Sequence, residues 1–211
     1  MKKMFALGIT AALSMPVVAQ HTTSQSTVIN GLDFGPLAQL VGTWKSADAG
    51  GVDVAPGQEN SAVGEGNPSV TPFYEVMTFE VAADATNASE QYLVALYYKQ
   101  EVFRKKDDSK FHDQRGYFIY DKENQTVYNS FCVPRTTCVT AEGKAGNVMT
   151  LKSSDNGIAE SNYMLDNAAT EGFTMSLNLS EDQLTYSQTT ELKIYGEDFT
   201  HTDASTLYKV K

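Results

Sequence analysis

The sequence predicts an all-β chain folded as a single antiparallel up-and-down β-barrel of about ten strands. Three observations carry this. After residue 45, short runs rich in Val, Thr, Tyr and Phe follow one another closely, and several alternate with period two. Turn-forming clusters separate the runs, at 121–124, 142–146, 155–157 and 167–170. No stretch in this span carries a clean helical stripe, so successive strands must pair with one another. Closure into a barrel removes free sheet edges, and a barrel of this size can enclose a cavity for one small ligand.

Taken in order, the first nineteen residues read as a secretory signal peptide. Lys2 and Lys3 supply a positive start, residues 4–13 a short apolar stretch, and Val17-Val18-Ala19 a small-residue cut site before Gln20. The rival reading, a membrane anchor, needs about 20 apolar residues and finds too few. Cleavage would leave 14 basic and 26 acidic residues and a net charge of −12 in place of −10. The expected location is therefore the periplasm or the exterior, where disulfides can form.

Residues 20–30 read as a flexible polar tail, and 31–211 as the barrel domain. Residues 31–42 can hold a short helical turn with Leu37, Leu40 and Val41 inward. Gly42-Thr43-Trp44 opens the first strand, with Trp44, the single Trp, as a core anchor in preference to a ligand contact. Residues 46–72, rich in Gly, Pro, Ala, Asn and Ser, read as a long loop. Strands are expected at 73–82, 91–104, 115–121, 126–133, 137–142, 147–153, 161–166, 171–179, 183–195 and 205–210. Within 90–104, Tyr92, Val94, Leu96, Tyr98 and Val102 share one face.

The acidic balance disfavours nucleic acid and anionic membrane surfaces as partners, since both need clustered positive charge. Three His and two Cys exclude zinc ribbons, iron–sulfur clusters and two-His metalloprotease motifs. His21 falls in the tail, which leaves His112 and His201. A protein-only zinc site usually wants three or four ligands. A haem iron needs one axial side chain, because the porphyrin supplies the other four nitrogens. Nucleophilic and phosphate-binding motifs are absent. His112-Asp113 and the pair His201 and Asp203 are His–acid neighbours of a kind that chance often supplies. Cys132 and Cys138 flank a turn and can form a disulfide across it, or remain two thiols on adjacent strands. Arg135, in that turn, is either a solvated residue or an anchor for a carboxylate at a barrel mouth.

The opening Leu40-Val41-Gly42-Thr43-Trp44 and the Gly-rich segment after it resemble the start of calycin-type barrels, the lipocalins and fatty-acid-binding proteins. Three further segments resemble the nitrobindin-type haem-binding β-barrel family. They are His112-Asp113-Gln114-Arg115-Gly116-Tyr117, Val133-Pro134-Arg135, and Phe199-Thr200-His201-Thr202-Asp203 with Thr206-Leu207. The similarity runs from about residue 37 to the C-terminus, and the first Gly-rich run of the family is replaced here by Gly42–Ser46 and a longer insert.

That resemblance implies a ten-stranded barrel with a pocket at one end. It implies haem b as cofactor, with His201 as the axial ligand to iron and His112 and Arg135 lining or rimming the pocket. It also implies nitric oxide binding or peroxynitrite isomerisation. Two other functions remain open on the residues alone. One is a non-enzymatic carrier of a fatty acid or other small apolar ligand. The other is an exported β-domain that acts through its surface.

Overall fold

The structure, a computed structural model, describes residues 26–211; the expected signal peptide and most of the expected tail lie outside the described residues. The elements run β1 (Val28–Ile29), β2 (Leu32–Asp33), a 3-10 helix (Gly35–Leu40), β3 (Gly42–Ser46), β4 (Gly51–Pro56), β5 (Pro68–Val81), β6 (Ala85–Asn87) and β7 (Gln91–Arg104). They continue with β8 (Lys110–Asp121), β9 (Thr126–Val133), β10 (Thr137–Lys144), β11 (Val148–Glu160), α1 (Asn162–Asn167), β12 (Ala168–Leu179), β13 (Gln183–Ile194) and β14 (Glu197–Lys209).

From β7 to β14 each strand pairs antiparallel with the next, apart from the short α1 between β11 and β12. The ring closes because β3 and β4 both pair with β14 on one side and β5 on the other, while β5 also pairs with β7. Strands β3 and β4 thus fill one position between them, and the result is a closed ten-strand antiparallel barrel. The sequence-based fold class is what the chain adopts.

Several local expectations change. The loop expected over 46–72 contains β4 and the start of β5. Gly51 explains how so irregular a sequence pairs: a Cβ there would lie 2.3 Å from the Phe73 ring and 2.7 Å from the Ala204 carbonyl oxygen. Only glycine lets β4 lie flush between β5 and β14. The turn leading into β4 is pinned by Lys105 Nζ, which donates to the carbonyls of Asp48 (2.8 Å) and Ala49 (2.7 Å). The strand expected at 161–166 is helix α1. Ser161 caps it, its hydroxyl accepting from the Met164 N–H at 3.3 Å, and of its residues only Met164 is buried. The turn expected at 155–157 is absorbed into β11, where the pairing with β10 slips across an irregularity. Within the expected tail, Val28–Ile29 pairs with Leu32–Asp33 as a small hairpin.

Inward positions form layers that follow from the register. At one end lie Phe79, Leu96, Phe118, Leu184 and Leu207, with Leu37 and Leu40 of the 3-10 helix packed among them. Trp44 sits here at 1% exposure and donates its indole N–H to the Leu40 carbonyl at 2.6 Å. The helix and Trp44 together close this end. A middle layer follows, with Glu75, Tyr98, Gln100, Gln114, Asn129, Tyr186 and Ser205 all buried. The third layer opens into a cavity.

Candidate functional site

The cavity has a volume of about 920 Å³ and is bordered by the mouth ends of β4, β5, β7, β8, β13 and β14 together with the β9–β10 turn. Strand β14 places His201, Asp203, Ser205 and Leu207 on one face, since alternate residues point the same way. Leu207 is in the core, so His201 and Asp203 point inward too, and both border the cavity. Asp53 of β4 is the direct cross-strand partner of Asp203.

Two carboxylates facing each other across strands repel. His201 lies against both: its Nε2 is 2.7 Å from Asp53 Oδ1 and 3.5 Å from Asp203 Oδ2. Burial pulls the imidazole toward neutrality, but its hydrogen bonds to the Asp203 and Asp53 carboxylates prevail and its pKa rises to about 9. Burial pushes the Asp53 carboxyl up, against its hydrogen bond to His201. Asp203 is also penalised by burial, yet the imidazolium beside it holds it below the usual carboxylate range.

His112 lies on the face of β8 that carries Gln114, Gly116, Phe118 and Tyr120. Gly116 keeps this strand close to β9: a Cβ there would meet the Ser130 carbonyl oxygen at 2.1 Å. His112 borders the cavity, and its Nε2 is 3.4 Å from Gln114 Oε1. Burial lowers its pKa and keeps it neutral. Its chain neighbour Asp113 sits at the opposite phase of the strand and pairs with Arg115 at 2.7 Å. The two His–acid neighbours of the sequence therefore differ. Residues one apart on a strand face opposite ways, and residues two apart share a face.

Arg135 borders the same cavity from the β9–β10 turn, so the structure brings His201, His112 and Arg135 around one space. Cys132 and Cys138 are direct cross-strand partners with Cα atoms 4.0 Å apart, and their sulfurs are bonded.

Sequence reasoning missed Asp53, inside the expected loop, and the buried group beneath the cavity. There Tyr186 donates its hydroxyl to both Glu75 carboxylate oxygens (3.0 Å each), and Gln100 Nε2 donates to Glu75 Oε2 at 2.6 Å. Burial raises the Glu75 pKa to about 7, although these hydrogen bonds oppose it. Arg104 was also missed. It borders the mouth with its guanidinium 4.4 Å from the Phe111 ring centroid. A polar residue at an inward phase of an apolar strand, as with Glu75 between Phe73 and Met77, is the signal that could have found this layer.

In comparisons with known proteins, the chain's fold is similar to that in the "Crystal Structure of Rv2717c from M. tuberculosis". The TM-score is 0.58 and the identity 17%, over 83% of this chain and 95% of that one. No curated protein matches the sequence. Residues 33–209 match the family described as "THAP4-like, heme-binding beta-barrel domain". That match spans all ten barrel strands and every cavity residue described above, so the chain belongs to the THAP4-like haem-binding β-barrel domain family.

Proposed function

We propose that this protein holds haem in the mouth cavity with His201 as the axial ligand. The observation that carries the reading is the inward imidazole of His201, bordering the cavity and backed by the Asp53 carboxylate at 2.7 Å. Ligating histidines commonly give their second ring nitrogen to a carboxylate, which fixes the ring and raises its basicity. The donor set fits haem in that respect, and the volume of about 920 Å³ falls within the range of small-molecule and cofactor sites.

Each neighbour then has a task. Asp53 orients the imidazole and accepts its remaining N–H. Arg104 and Arg135 at the rim can hold the two carboxylate side chains of the cofactor through paired N–H donors. Phe73, Val102 and Phe111 supply an apolar wall that keeps water from the site. His112, held neutral, can donate or accept one hydrogen bond to a molecule bound in the cavity. Haem held there by His201 would supply the iron for nitric oxide binding or peroxynitrite isomerisation. A fatty acid is the weaker candidate ligand, because with its head group on the rim arginines its apolar chain would meet Asp53, His201 and Asp203.

Titration of the purified protein with hemin tests the reading. A Soret complex at one haem per chain is expected, lost in His201→Ala and retained in His112→Ala. A wild-type protein without a Soret complex overturns it. The reading includes export, on the N-terminal pattern of Lys2, Lys3 and Val17-Val18-Ala19. Mass spectrometry of the protein recovered from the producing cell should find a chain beginning at Gln20.

A further inference from the structure

The mouth of the barrel holds a second kind of site in the same residues. Asp53, His201 and Asp203 offer donor atoms that all lie within 4.8 Å of one another. Donors bound to one ion at about 2.1 Å stand about 3.0 Å apart at right angles and about 3.4 Å apart in a tetrahedron. The separations from His201 Nε2 to the two carboxylates, 2.7 and 3.5 Å, lie on either side of that spacing.

A second, independent observation points the same way. Gln188 is the cross-strand partner of Asp203, borders the same cavity and is 6% exposed. Its Oε1 is buried without a hydrogen-bond partner. A buried carbonyl oxygen left unpaired is costly, and a cation or a donor brought into the cavity removes that cost. The local arrangement is thus one imidazole and two carboxylates directly opposed across strands, with an unpaired amide oxygen at the next cross-strand position.

We propose that Asp53, His201 and Asp203, with the Gln188 side-chain carbonyl beside them, form a binding site for one divalent first-row transition cation. Carboxylate and carbonyl oxygens with a single imidazole suit manganese, iron(II), cobalt or zinc. The ion enters between His201 Nε2 and Asp53 Oδ1, and the proton shared there leaves to solvent, as metal binding to a protonated ligand requires. Two negative carboxylates then balance the two positive charges of the ion. The ion and a haem iron draw on the same imidazole, so one occupant excludes the other.

Cobalt(II) is the probe. The purified full chain is titrated with it by calorimetry, and its visible ligand-field band is followed in parallel. One ion per chain is expected. Asp53→Asn and Asp203→Asn should each weaken uptake by at least roughly tenfold. Asp113→Asn, which alters an outward ion pair on β8, should leave uptake unchanged. Thermal melts of each variant guard against unfolding as the cause. Absence of saturable cobalt uptake, or uptake by Asp53→Asn equal to that of the wild type, overturns the proposal. Hemin titration of the same sample reads separately. Cobalt uptake without a Soret complex sinks the haem reading and supports this one, and a Soret complex without cobalt uptake does the reverse.

Discussion

At the closed end of the barrel, the inward residues Phe79, Leu96, Leu184 and Leu207 pack on Trp44 and the 3-10 helix. Four positions along the same strands toward the mouth, the inward residues are Glu75, Gln100, Gln188 and Asp203. The backbone is one continuous sheet and the pleat is unbroken along these segments, so the change is purely one of side-chain chemistry. The closed end is apolar, where burial favours folding. The mouth carries carboxylates, amides and imidazoles whose burial opposes folding unless each finds a partner. The Glu75–Tyr186–Gln100 group is the boundary, satisfied on its carboxylate while Gln100 Oε1 remains unpartnered. Stability is concentrated at one end of the barrel, and binding chemistry at the other.

The sharpest way to break this division is at Trp44. Trp44→Ala should cost about 3–5 kcal/mol of unfolding free energy, read by urea denaturation. Ligand affinity of the fraction that stays folded should be unchanged. A variant of near-wild-type stability that fails to bind would show that the two ends are not separable.

The boundary layer gives the next effect. Glu75 has its pKa raised from 4.5 to about 7 by burial. The folded state therefore binds this proton more tightly than the unfolded chain. The associated stability is present below 4.5 and is lost as the pH rises through about 7. On the order of 3 kcal/mol rides on this one buried group. Glu75→Gln should flatten the pH profile of the melting temperature across that window. An unchanged profile would place the titration elsewhere.

The mouth-side disulfide closes a short loop, and its removal by a Cys132→Ala and Cys138→Ala double change should cost about 2 kcal/mol. The measurement is the denaturation midpoint under oxidising conditions. The smallest effect lies outside both ends, at Ser161. Its replacement by Ala removes the cap of α1 and should cost about 1 kcal/mol without affecting ligand binding.

The strands were legible because their alternation is a local signal. Val94, Leu96, Tyr98 and Val102 mark an inward face without reference to any partner. Helix α1 was not legible. Tyr163 and Leu165, both exposed, give 161–166 an apolar content that imitates a strand, and only the Ser161 cap argues otherwise. Strand β4 was hidden for a different reason. Its pairing depends on Gly51 fitting against the Phe73 ring and the Ala204 carbonyl, a contact between residues far apart in the chain. His201, His112 and Arg135 could be singled out because histidine and arginine are few and fall in recognisable segments. Asp53, Gln188 and Glu75 could not, since acids and amides are common and nothing local separates an inward one from a solvated one.

Taken alone, the sequence determines the all-β class, the near-neighbour strand order and the scarcity of metal-ligating side chains. Each depends on composition or on periodicity within one segment. Tertiary structure alone decides that Asp53 meets Asp203 and His201, and that Gln188, paired across strands with Asp203, is left with an unpaired oxygen. The Asp53 contacts arise from the closure of the ring, which brings β4 against β14, and the Gln188 position from the pairing of β13 with β14. The charge and donor set of the mouth depend on distances across strands, and no single segment of the chain encodes them.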